Sequence, residues 1–103
     1  MKRAFVVSPS DLSRLSSTIL SKLNEEPIVC SRLDQITELQ PAESVFFVVS
    51  ELSMCSTAYE ELVRAAFMVM RDQQRRFLLP LDDDVIVPAG FQLLQSLREG
   101  LPE

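Results

Sequence analysis

The run VFFVV at residues 45–49 is the feature of this sequence that most constrains its fold, because every position in it is apolar. A strand with one solvated face alternates apolar and polar residues, whereas a strand that is apolar throughout is covered on both faces. Strands of this kind belong to parallel sheets that helices cover on both sides. The run therefore predicts that Ser44–Ser50 is a buried strand of an α/β fold.

Three further short apolar runs predict strands, and segments with helical spacing separate them. The additional strands are expected at Ala4–Ser8, Pro27–Ser31 and Phe77–Leu81. Helical segments are expected from Ser8 to Asn24, for one or two turns within Arg32–Glu43, from Thr57 to Met70, and near Phe91–Leu97. This alternation predicts one domain, residues 1–103, with an open parallel sheet of about four strands in the order 2-1-3-4 and helices on both faces. A fifth strand is hard to place from the sequence alone.

The composition excludes several classes of function. The chain has no histidine, so catalysis through imidazole is excluded, and its formal net charge of −5 argues against binding to nucleic acid or to an anionic membrane. Cys30 and Cys55 cannot form a zinc site without further ligands, and no metal site is predicted. The apolar runs are far shorter than the roughly 20 residues that cross a bilayer, and the N-terminal run is too short for a signal peptide. A cytoplasmic protein with reduced cysteines is therefore expected.

Familiar motifs of α/β enzymes are missing from the sequence. Gly90 and Gly100 are its only glycines, so it has no dinucleotide-binding loop, no phosphate loop and no Gly-x-Ser-x-Gly elbow. The strand ends that would carry the acids of a receiver-type phosphorylation site carry Ser8 and Ser50 instead. The acidic triplet Asp82–Asp84 is interpreted as solvated loop charge rather than as a cation site.

Two adjacent carboxylates, Glu60 and Glu61, stand at the start of the third helical segment. Thr57 can cap this helix, and Glu60, three residues later, can complete a capping box. Glu61 has no such role, so it is either a first-turn carboxylate that the helix dipole stabilises or a functional group. Because ligands of parallel α/β sheets bind beyond the carboxyl ends of the strands, where this loop lies, both interpretations stay open.

Three stretches of the sequence form a recognisable set when they are taken in order. They are AFVVSPSD, then VFFVVSELSMCSTAYEEL with its Glu-Leu pair, and then RRFLLPLDDDVIVP. Together they resemble the first box, the strand-three signature and the fourth-strand region of a Toll/interleukin-1 receptor (TIR) domain of the bacterial type. The resemblance covers most of the chain, although Arg32–Glu43 is shorter than the usual crossover of that family. It implies a flavodoxin-like, three-layer fold.

The resemblance implies an activity as well as a fold. In family members that cleave NAD, the Glu of the Glu-Leu pair is the catalytic carboxylate, and this position falls on Glu61 here. Because the leaving nicotinamide is already cationic, the reaction needs no general acid, only a carboxylate that stabilises the developing oxocarbenium charge. Ser8, Ser10 and Ser50 are then the candidates for binding the substrate.

Three functions remain open on this basis. The first is a signalling or defence module that works by association with other TIR-like domains or with itself. The second is an NAD nucleosidase that uses Glu61, with NAD as its substrate and no cofactor. The third is a related nucleoside- or nucleotide-processing enzyme, because deoxyribosyl-transfer enzymes share a comparable arrangement of strand, loop and Glu.

Overall fold

The computed structural model describes residues 3–18, 27–83, 85–88, 91–95 and 97–99 of the chain. Its strands are β1 (Arg3–Val6), β2 (Ile28–Cys30), β3 (Ser44–Val49), β4 (Arg75–Pro80) and β5 (Arg98–Glu99). They form one parallel sheet in the order β2-β1-β3-β4-β5. The predicted parallel order 2-1-3-4 is confirmed. The fifth strand, which the sequence did not reveal, has only two residues and therefore no pattern of its own.

The helical segments cover the sheet on both faces, as predicted. They are α1 (Leu12–Thr18) after a 3-10 turn (Pro9–Asp11), a 3-10 segment (Leu33–Leu39), a 3-10 turn (Ser53–Cys55), α2 (Thr57–Val69) and α3 (Gln92–Gln95). The expected continuation of the first helix from Ile19 to Asn24 lies outside the described residues. None of the helices within the described ranges combines the length and the apolar character that crossing a membrane requires.

The apolar core divides into two layers because successive side chains of a strand point to opposite faces of the sheet. Phe46 and Val48 of β3 pack on the α1 face, together with Leu15 of that helix. Val45 and Phe47 of β3 pack on the opposite face, where α2, α3 and the 3-10 segment supply the cover. Every residue of β3 is buried, as the apolar run at 45–49 predicts.

A ladder of three phenylalanines fixes the register of the central strands. Phe5 of β1, Phe46 of β3 and Phe77 of β4 lie side by side in the parallel pairing. The ring centroids of Phe5 and Phe46 are 5.1 Å apart, and those of Phe46 and Phe77 are 5.2 Å apart. Stacked aromatic pairs at this separation contribute about 0.5–1.5 kcal/mol each beyond the area that they bury.

The spacing of three in Leu33, Ile36 and Leu39 produces a 3-10 segment rather than α-helical turns. A 3-10 helix has three residues per turn, so residues at this spacing lie on one side of it. Ile36 and Leu39 are buried against α2 and the sheet, while Leu33 at the start of the segment is exposed. The short crossover is therefore a compact element that covers the sheet.

The cap of α2 differs from the prediction. Its N-cap is Ser56, whose backbone is extended and whose Oγ accepts a hydrogen bond of 3.2 Å from the backbone nitrogen of Tyr59. The expectation that Thr57 caps this helix and that Glu60 completes a capping box is wrong. With Ser56 as the cap, Glu60 lies one position too far along the helix, and its carboxylate instead accepts a hydrogen bond of 2.8 Å from Arg64.

The buried side chain of Gln74 joins the 3-10 segment to the start of β4. Its amide nitrogen donates to the carbonyl oxygens of Leu39 and Ala42 at 2.7 and 2.6 Å, and to that of Gln40 at 3.3 Å. Its amide oxygen accepts from the backbone nitrogen of Arg71 at 2.7 Å. These contacts give hydrogen bonds to backbone groups in the bend before β3 and in the turn before β4, where no sheet or helix pairs them.

Replacing Gln74 by Ala should lower the free energy of unfolding by about 2–3 kcal/mol, because the carbonyl groups of Leu39 and Ala42 lose their shortest hydrogen bonds. Equilibrium denaturation in urea measures this change. The neighbouring Gln73 is exposed and provides the matched control, since Gln73→Ala should change the stability by less than about 0.5 kcal/mol. Equal effects of the two substitutions would contradict the role assigned to the Gln74 amide.

Candidate functional site

The carboxyl ends of β1 and β3 bring the three predicted serines close to one buried aspartate. The chain leaves β1 towards β2 on one side and returns to β3 on the other, so this is the switch point where open α/β sheets bind ligands. Ser8 follows β1, Ser10 lies in the next turn and Ser50 follows β3. All three belong to a hydrogen-bonded network centred on Asp11, which is fully buried.

The hydroxyl groups of this network donate their hydrogen bonds in one direction, towards Asp11. One oxygen of Asp11, Oδ2, accepts from Ser50 Oγ at 2.6 Å and from Ser8 Oγ at 3.3 Å. Each serine has a single hydroxyl proton, so Ser8, having donated to Asp11, accepts from Ser10 Oγ at 2.9 Å. Ser10 is exposed, and a chain of hydroxyl groups therefore runs from the surface to the buried carboxyl group.

The second oxygen of Asp11, Oδ1, is buried and has no hydrogen-bond partner within the described part of the chain. A buried polar atom in this state carries a desolvation cost of about 1–3 kcal/mol. The burial of Asp11 is therefore a local cost to stability at this edge of the sheet.

Ser50 is also tied to Ser53 in the turn that follows β3. The backbone nitrogen of Ser50 donates to Ser53 Oγ at 2.8 Å, and the backbone nitrogen of Ser53 donates to Ser50 Oγ at 3.1 Å. Ser53 Oγ in turn donates to the carbonyl oxygen of Ser50 at 3.2 Å. These hydrogen bonds fix the turn. Because Ser50 Oγ donates to Asp11 and Ser53 Oγ donates to the carbonyl oxygen of Ser50, neither buried hydroxyl group has a proton left to donate to a ligand.

Tyr59 connects α2 to the same edge of the sheet. Its phenol is buried, and its hydroxyl donates a long hydrogen bond of 3.5 Å to the carbonyl oxygen of Val6 at the end of β1. Burial, together with the nearby charge of Asp11, raises the pKa of Tyr59 well above its usual value. The phenol therefore stays protonated and acts as a donor in the interior.

A second connection lies closer to the surface. Arg14 of α1 makes an ion pair of 2.6 Å with Asp82 after β4, and Asp82 also accepts from the backbone nitrogen of Glu51 at 3.2 Å. The hydrogen bond from Arg14 and that from Glu51 lower the pKa of Asp82. The first residue of the acidic triplet is thus a structural link between loops, while Asp83 is exposed and Asp84 lies outside the described residues.

Glu61 lies apart from this network. Its side chain is exposed on α2, and within the described ranges it makes no hydrogen bond or ion pair. Glu60 beside it is bound to Arg64, so of the two adjacent carboxylates Glu61 is the one without a protein partner. The structure therefore brings Ser8, Ser10 and Ser50 together but joins none of them to Glu61.

Sequence reasoning missed Asp11 and Ser53 as members of the site. Asp11 lies in the stretch AFVVSPSD, but nothing local indicates that its side chain points inward to Ser50, which lies 39 positions further on. The signal for Ser53 was present, since a serine that follows another serine at a spacing of three favours turns closed by side-chain hydrogen bonds.

No family model, no curated protein and no solved structure matches this chain. The resemblance to TIR domains therefore stays a prediction from the three sequence stretches. The described residues also contain no group of three or more His, Cys, Asp or Glu side chains that could hold a metal ion.

Ser50→Ala should lower the free energy of unfolding by about 1–3 kcal/mol, because the buried carboxyl group of Asp11 loses its shortest hydrogen bond. Chemical denaturation provides the measurement. Ser13→Ala is the matched control, since Ser13 is exposed on α1 and should contribute less than about 0.5 kcal/mol.

A double-mutant cycle isolates the contact itself. Ser50→Ala and Asp11→Ala should be non-additive by more than about 0.5 kcal/mol, as contacting residues are. Strictly additive changes would mean that the bond between Ser50 and Asp11 contributes nothing.

Proposed function

We propose that this chain is a TIR-like binding module of signalling or defence that works by association with domains of its own kind. The observation that carries the proposal is an open groove of about 470 Å³ between α2 and α3. Apolar side chains of both helices line it, and Met68 is 85% exposed there while Leu93 is 41% exposed. Large apolar side chains grouped in a groove at the surface are typical of protein interaction sites.

The charges at the groove favour a second copy as the occupant. Glu60 and Arg64 both line the groove, one turn apart on α2, with their charged groups 2.8 Å apart. In a dimer with twofold symmetry both copies use the same surface, and every contact between them occurs twice. Glu60 of one copy can therefore pair with Arg64 of the other, and Arg64 of the first with Glu60 of the second. A surface with one acid and one base beside an apolar centre is complementary to itself.

The candidate site is consistent with binding rather than catalysis. Ser8 and Ser50 are buried and their hydroxyl protons are engaged by Asp11, so they are closed to a substrate in this conformation. A catalytic carboxylate also needs supporting groups that orient the substrate, and among the described residues Glu61 makes no hydrogen bond to the serines that were the candidates for this role. These features support the association module over the nucleosidase.

Met68→Glu should weaken self-association by about tenfold or more, because dimerisation would bury an unpaired charge. Sedimentation velocity over a range of protein concentrations measures the change. It is best done at physiological ionic strength, where the Debye length of about 8 Å screens repulsion between two acidic copies. Leu52→Glu is the matched control, since Leu52 is 68% exposed but lies outside the groove and should leave association unchanged.

Charge reversal tests the twofold pairing separately. Arg64→Glu and Glu60→Arg should each weaken association, because each places like charges opposite one another. The double variant that carries both substitutions should restore association, since the surface is again complementary to itself. A wild-type chain that stays monomeric at all concentrations would overturn the proposal.

NAD cleavage by Glu61 is the second candidate function, and it is favoured by the exposure of this carboxylate, which no other side chain among the described residues binds. Departure of nicotinamide from NAD generates positive charge on the ribose, which a nearby carboxylate stabilises. A nucleoside substrate in place of NAD would require the same carboxylate.

Under the proposed function, Glu61→Gln should associate as the wild type does, and NAD should remain intact in the presence of either protein. Proton NMR of NAD with concentrated protein measures the release of nicotinamide. Release by the wild type and not by Glu61→Gln would support the nucleosidase instead, and consumption of nucleosides but not of NAD would support the third alternative.

A further inference from the structure

A pocket of about 270 Å³ lies at the opposite, amino-terminal edge of the sheet. It is formed by residues that precede or begin β3 and β4: Glu43, Ser44, Arg71, Gln73, Gln74 and Arg75. This edge is far from the serine network, because parallel strands place their amino and carboxyl ends on opposite edges of the sheet. The pocket shares no lining residue with the association groove, and Glu61 does not line it either.

Two guanidinium groups face this pocket without a carboxylate partner. Among the described residues, neither Arg71 nor Arg75 makes an ion pair, although the chain carries 15 acidic and 10 basic residues. Arg71 donates one hydrogen bond of 3.4 Å to the carbonyl oxygen of Ala42, which leaves most of its donors unused. The protein as a whole is acidic, whereas these two arginines bring positive charge to one pocket.

The backbone beneath these arginines is held rigidly. Gln74 binds the backbone nitrogen of Arg71 and three carbonyl groups of the neighbouring loop, and the backbone nitrogen of Arg75 donates to the carbonyl oxygen of Glu43 at 3.1 Å. The Cα atoms of Arg71 and Arg75 are therefore held at fixed positions relative to each other. A binding site that is organised in advance loses less entropy when its ligand arrives.

A third cation lies in the same row of the sheet. Arg3 of β1 is in register with Ser44 of β3, and Ser44 is in register with Arg75 of β4. Residues that pair in register point to the same face, so Arg3 and Arg75 flank Ser44 about 10 Å apart at the usual strand spacing. Arg3, Ser44 and Arg75 therefore share one face at the amino-terminal edge of the sheet.

We propose that this pocket binds an oxyanion, with Arg71 and Arg75 as its principal ligands and Ser44 and Gln73 as further donors. The planar guanidinium group matches the geometry of phosphate and carboxylate oxygens, which it binds through paired hydrogen bonds. Glu43 lines the same pocket, so its carboxylate limits the affinity and opposes the anion. The site is independent of the proposed association surface.

Titration of the full chain with inorganic phosphate and, separately, with acetate tests the proposal, with backbone amide shifts in NMR as the measurement. Shifts should concentrate at residues 73–75 and saturate. Arg75→Gln, which keeps most of the side-chain length, should weaken binding by about tenfold or more, because it removes charge-assisted hydrogen bonds. Glu43→Gln should strengthen binding, since it removes the opposing charge.

The control is Arg32→Gln, because Arg32 is an exposed arginine outside the pocket that is paired with Asp34. It should leave the affinity unchanged. Tighter binding of phosphate would indicate a phosphate-bearing ligand, and tighter binding of acetate would indicate a carboxylate ligand such as a peptide C-terminus. Shifts that do not saturate, or that Arg75→Gln leaves unchanged in a folded variant, would overturn the proposal.

Discussion

The in-register packing of Phe5, Phe46 and Phe77 across three strands is the interaction on which the rest of the structure depends. A slip of one residue in β3 would move Phe46, together with every other side chain of this strand, to the opposite face of the sheet. Because β3 is buried on both faces, α1 and α2 must lie on opposite sides of the sheet. The positions of both edges, and thus of every candidate site, follow from this one register.

The carboxyl edge of the sheet is held together by polar groups rather than by apolar packing. Asp11, Ser50 and Ser53 connect the loops after β1 and β3, and Arg14 and Asp82 connect α1 to the loop after β4. These directional contacts define one arrangement of the loops, although Asp11 Oδ1 has no hydrogen-bond partner among the described residues. Parallel α/β sheets bind their ligands at this edge, but here the polar side chains at the edge bond mostly to one another.

The sheet and its order could be predicted because they follow from patterns of neighbouring residues. The apolar run at 45–49 and the segments between strands were sufficient for the topology, whereas β5 has two residues and no pattern to detect. The cap of α2 was misassigned by one residue, because Ser56 and Thr57 are both good capping residues and only the backbone decides between them. The burial of Asp11 depends on a contact with distant Ser50, which no local pattern encodes.

The two outer strands of the sheet have a consequence for how this domain meets other molecules. β2 has three residues and β5 has two, so each edge presents only a few backbone groups to an arriving strand. Short edge strands are one of the ways in which proteins prevent their sheets from growing by addition of another chain. A partner gains little by extending this sheet, and recognition is left to the faces of the helices and to the loops.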